Sequence, residues 1–96
     1  MEKRNNKYRI HLQELELKTG TQASRNLSFD FENHDDIFEV IEKIKTRNLL
    51  STEEQSVEFA VGLKLFSEIL IRHKDKALFA ELIPAIKEFM NKLKKS

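Results

Sequence analysis

The sequence predicts an α+β fold: an N-terminal β-hairpin followed by three α-helices, the last kinked or broken near Pro84. Three observations predict it. Hydrophobic residues recur at period two as far as Phe31 and at three-and-four spacing beyond Asp35. Thr19-Gly20-Thr21 interrupts the first part with a turn signal. Ser51-Thr52-Glu53-Glu54 and Pro84 divide the second part into helical segments.

The first strand is read from Tyr8, Ile10 and Leu12, which alternate with Arg9, His11 and Gln13. Leu15 and Leu17 then fall on the opposite parity. A bulge near Gln13-Glu14 would return them to the apolar face, because a bulge inserts one residue. Gly20 can take a positive φ at no steric cost and serves the turn. Leu27, Phe29 and Phe31 alternate with Ser28, Asp30 and Glu32, giving a second strand paired to the first.

Ile37, Val40, Ile41 and Ile44 mark one face of a first helix, with Phe38 beside it. Asn48 is its expected stop. Ser51 and Glu54 form a capping box that starts a second helix over roughly Thr52 to Arg72. On this helix Phe59, Gly62, Leu63, Phe66, Ile69 and Leu70 cluster on one face. Lys64, Glu68 and Arg72 form a narrow polar stripe opposite, with Val57, Val61 and Ile71 close to it. A helix apolar over most of its circumference needs cover on several sides, so it is expected at the centre of the helical part. The last segment carries Leu78, Phe79, Leu82, Ile83, Ile86, Phe89, Met90 and Leu93 in one phase across Pro84. Proline removes a helix hydrogen bond and disfavours helical geometry at Ile83, hence the predicted kink or break.

Composition narrows the function classes. A chain of 96 residues suits one domain, residues 1–96, with a modest core. There is no cysteine, which excludes a disulfide scaffold, a thiolate zinc site and a thiol nucleophile. The first ten residues carry no apolar stretch of signal-peptide type, and a cytoplasmic location is expected. The run from Phe59 to Phe66 is short and contains Lys64, so no membrane span is expected. The net charge of +1 is unevenly spread: Lys3, Arg4, Lys7 and Arg9 crowd one end, and Lys87, Lys92, Lys94 and Lys95 the other. Acids dominate residues 27–58.

The stretch Phe31-Glu32-Asn33-His34-Asp35-Asp36-Ile37-Phe38 holds the densest chemistry. His34, Asp35 and Asp36 are residue types that ligate metals or transfer protons. A His-Asp pair also occurs in metal-dependent phosphohydrolases, but those need further histidines on neighbouring helices. Here only His11 and His73 remain, on a strand and at a helix end. The stretch is instead explained as a helix start, with Asn33 or Asp35 as the cap and acids in the positive dipole end. Ser24, Ser28, Ser51, Ser56, Ser67 and Ser96 sit in no nucleophile-elbow pattern. Gly20 and Gly62 cannot form a phosphate-cradling loop. No catalytic residue, cofactor or metal is therefore expected, and the chain is not expected to be an enzyme.

YRIHL, LSFDFENHDDIFEVIEKI, EFAVGLKLFSEIL and PAIKEFMNKLKK, in that order and spacing, resemble a small bacterial family of uncharacterised proteins, domain-of-unknown-function family 3861. The resemblance runs from Tyr8 to Lys95. It implies a small bacterial α+β protein and carries over no activity, ligand or catalytic residue. Two function classes follow. The first is a non-enzymatic interaction module that self-associates as a homodimer, through the second helix or by extending its sheet, and that has room for another protein partner. The second is nucleic-acid binding by the basic N-terminal arm and the lysine-rich C-terminal tail. Asp30 and Glu32 on the second strand weigh against the latter.

Overall fold

The computed structural model describes residues 4–95, which fall into two compact units. The first runs to Asp35 and is a two-stranded antiparallel sheet of β1 (Asn6–Gln13) and β2 (Asn26–Asn33). The second begins at Asp36 and contains α1 (Ile37–Thr46), α2 (Glu53–Arg72), a single turn α3 (Ala77–Ala80) and α4 (Ile83–Lys95). The hairpin and the three helical segments are as the periodicity predicts, with the last segment bent at Glu81-Leu82.

The strand register follows from side-chain alternation. Tyr8 lies opposite Phe31, Ile10 opposite Phe29 and Leu12 opposite Leu27, so six apolar side chains share one face. Tyr8 stacks on Phe31 with ring centres 5.4 Å apart. The other face pairs Lys7 with Glu32, Arg9 with Asp30 and His11 with Ser28. The expected bulge is absent. β1 stops at Gln13, and the Glu14 N–H closes the ladder on the Arg25 carbonyl at 2.9 Å. The Glu14 carboxylate turns back instead: it accepts from the Ser24 and Arg25 N–H groups, both at 3.0 Å, and pairs with the Arg25 guanidinium. Leu15 is consequently 85% exposed rather than returned to the apolar face. Gly20, at φ 78°, closes a turn by donating to the Leu17 carbonyl.

In the helical unit, Ile37, Ile41 and Ile44 are buried at the spacing of one helix face. Phe38 lies outside that face. α1 ends as expected: Asn48 takes φ 52°, the left-handed conformation that asparagine tolerates after a helix. The start of α2 is shifted by one residue from the Ser51–Glu54 box. Thr52 is the cap and accepts from the Gln55 N–H, while the Gln55 side chain accepts from the Ser51 N–H. Thr52-Glu53-Glu54-Gln55 fits the same spacing rule, and threonine with glutamine satisfies the orphan donors equally well.

The orientation of α2 bears out Leu70, which is buried, but overturns the rest of the predicted faces. Its buried residues are Ser56, Ala60, Lys64, Ser67 and Leu70, so Lys64 of the supposed outer polar stripe is only 8% exposed. Phe66 and Ile69, expected inside, are 47% and 40% exposed. Hydrophobicity ranks side chains by transfer energy, but two helices approach most closely where side chains are small. α1 packs on α2, whose Ser56, Ala60 and Ser67 leave room for bulky isoleucines. Pro84 sits in the first turn of α4, where a missing N–H costs nothing. The Arg47 side chain donates to the Leu93 carbonyl near the end of α4, and Phe59 of α2 meets Phe89 of α4 edge-on at 6.2 Å.

Candidate functional site

The stretch from Asn33 to Asp36 is the junction between β2 and α1, built from three backbone requirements. Asn33 ends β2 on the apolar face and is fully buried. Its Oδ1 accepts from the Asp35 N–H at 3.0 Å, an Asx turn that leads the chain out of the strand. The Asp35 carbonyl accepts from Tyr8 Oη and from Asn6 Nδ2, each at 3.1 Å, so β1 holds the turn. Asp36 then caps α1: its Oδ1 accepts from the Phe38 and Glu39 N–H groups at 3.1 and 3.3 Å. The cap is therefore Asp36, not Asn33 or Asp35, because Asn33 is already spent on the Asp35 N–H.

His34 Nε2 stands 3.5 Å from Asp35 Oδ1, with both side chains substantially exposed. Among the described residues no three His, Asp or Glu side chains converge where they could hold a metal ion. One feature of this region was not legible in the sequence: Asn33 Nδ2 is buried without a partner among the described residues. No sequence signal distinguishes such an amide from an exposed one.

The polar face of the hairpin holds a second cluster that sequence reasoning missed. His11 Nδ1 and Ser28 Oγ are 2.7 Å apart, brought together by the register. The pair is exposed, and among the described residues no carboxylate bonds His11 to fix its tautomer. It lacks the third member on which nucleophile activation depends. Beside it Arg9 donates to both carboxylate oxygens of Asp30, from Nε at 2.7 Å and from Nη2 at 3.1 Å. This contact raises the Arg9 pKa, and it holds Asp30 below its ordinary value. Glu14 is also held low, chiefly by the Arg25 and Ser24 N–H groups.

The remaining candidates are apolar surfaces. A groove of about 780 Å³ opens at the turn end of the hairpin, between Leu12, Leu15, Leu17 and Leu27. Another, of about 500 Å³, lies along α2 between Leu50, Phe59, Gly62, Leu63 and Phe66. A Cβ added at Gly62 would meet nothing within 4 Å, so the glycine is not required by packing within the protomer. Lys94 and Lys95 at the C-terminal end are exposed, whereas Lys3 of the basic arm lies outside the described residues. No described helix is long and apolar enough to cross a membrane.

Comparison with known proteins places the fold and leaves the activity open. None of the curated proteins matches the chain. The crystal structure of a protein of unknown function from Pectobacterium atrosepticum superposes with a TM-score of 0.80 at 37% sequence identity. The match covers 96% of this chain and 99% of that one. Residues 6–95 match the family model of DUF3861, a domain of unknown function with a solved structure. The hairpin, the Asn33–Asp36 junction and the helices all lie within that match, and the chain belongs to the DUF3861 family.

Proposed function

We propose that this protein is a small non-enzymatic interaction module of the bacterial cytoplasm that works as a homodimer. The observation that carries this reading is the apolar surface left open. On the hairpin Leu12, Leu15, Leu27 and Phe29 are exposed; in the helical unit Phe66, Ile69, Leu78 and Phe89 are exposed. Contiguous exposed apolar patches on a soluble chain mark association surfaces. A two-stranded sheet also leaves the outer edges of its strands available for pairing. The exposed His34 and the His11–Ser28 pair offer no buried, oriented acid or base, which favours binding over chemistry. The bacterial origin of the solved relative supports the cellular setting.

Sedimentation velocity over a concentration series tests the proposal. The expected mass is that of two chains, and a strict monomer at high micromolar concentration would overturn it. Nucleic-acid binding is the competing reading. It has the exposed Arg4, Lys94 and Lys95 in its favour, but the Arg9–Asp30 pair and the Lys7–Glu32 register offset the two other described bases of the arm. A gel shift at low salt, weakening as salt rises, would support that reading instead.

A further inference from the structure

We infer that the partner is a second copy of this chain, docked by antiparallel pairing of α2 about a two-fold axis near Gly62. The inference rests on the proposed self-association and assigns its surface. Gln55, Glu58, Gly62, Phe66 and Ile69 recur at three-and-four spacing and are exposed, on the side of α2 away from Ser56, Ala60 and Ser67. Gly62 stands at the middle of the twenty-residue helix. It is open to close approach by a partner, since nothing lies within 4 Å of where its Cβ would be.

Charge selects a second copy and sets its direction. The N-terminal half of α2 carries Glu53, Glu54 and Glu58 and no base. Its other end and the residues after it carry Lys64, Arg72, Lys74 and Lys76 against Glu68 and Asp75, a surplus of two bases. Antiparallel pairing brings the acidic end of each copy against the basic end of the other, twice, as an isologous interface requires. Parallel pairing would stack the acids on themselves. Antiparallel pairing about the centre also sets Phe59 opposite Phe66 of the partner subunit, adding to the ring cluster that Phe59 begins with Phe89. The strand edges are less suited to self-pairing. β1 would bring Lys7 and Arg9 toward their own copies, and β2 would do the same with Asp30 and Glu32.

Light scattering of the full chain and of single variants tests the interface. Wild type is expected to run as two chains, Phe66→Glu as one, and Leu27→Ser on the hairpin as two. The natural chain has no cysteine, so each introduced thiol is unique. Mild oxidation should link Gly62→Cys into a covalent dimer, because the two positions meet at the axis. Glu54→Cys should stay unlinked, since its two copies lie roughly 26 Å apart at about 1.5 Å rise per residue, far beyond disulfide reach. Circular dichroism checks that Phe66→Glu is folded, and the Gly62→Cys link decides the matter if it is not. A two-chain wild type with no link at Gly62→Cys and an undiminished Phe66→Glu dimer would overturn this interface and leave self-association standing. A single-chain wild type would overturn both.

Discussion

Asp36 shows how one side chain can look like chemistry and act as architecture. Its carboxylate lies beside a histidine and a second acid in sequence, yet both of its short contacts are to the backbone of the first turn of α1. Asp36→Ala should therefore lower unfolding free energy in urea by about 0.5–2 kcal/mol. His34→Ala should stay within about 0.5 kcal/mol, as befits an exposed residue. A larger loss at His34 than at Asp36 would reverse the assignment. Glu14 gives a pH prediction at the same scale. Its pKa is lowered in the folded state, so its contribution is fully present above the unfolded value and is lost as pH falls through the folded one. The Ser24 and Arg25 amides should keep their exchange protection through the ordinary glutamate value of about pH 4.3 and lose it only at lower pH. Glu14→Ala should show the same loss at neutral pH. That the acids of this stretch begin a helix was legible from the change of period. Which of Asn33, Asp35 and Asp36 caps it was not, because the Asx turn is a matter of backbone direction.

At the scale of the elements, α2 carries the main lesson. Ala60 is fully buried on the side that faces away from the open groove, and Ser56 and Ser67 accompany it. Ala60→Leu adds volume where no space exists and should cost about 1–3 kcal/mol, measured by thermal or urea unfolding. Gly62→Ala should do the opposite. Its new methyl meets nothing within the protomer, and removing a helix glycine should add about 0.5–1 kcal/mol to the stability of the dilute protein. Responses of opposite sign at two small residues two positions apart would confirm which side of α2 is inside. The sequence pointed to the wrong side because it ranks residues by hydrophobicity. The α1–α2 contact is governed by how closely two backbones approach.

For the whole molecule, the distribution of charge and apolar surface matters more than any single site. Acidic and basic ends of one helix attract across an antiparallel pair and are screened by salt. The two-chain form should thus weaken as sodium chloride rises from low to molar concentration if charge dominates, and strengthen if apolar burial does. Antiparallel pairing of α2 predicts a shallow dependence with both contributions, read as the shift of the association midpoint in sedimentation. A membership in DUF3861 that spans residues 6–95 makes these tests transferable to relatives carrying the same helix.

The sequence by itself determined the two strands of the hairpin, the change from strand to helix after Phe31 and the break before Pro84. Each of these depends on local periodicity or on a residue's own backbone preferences. Tertiary structure alone decided which side of α2 is buried, that Glu14 would clamp a loop rather than enter a bulge, and that His11 would meet Ser28. Those outcomes depend on the space left between elements and on distant residues brought into register, and neither quantity is written in any local stretch of the chain.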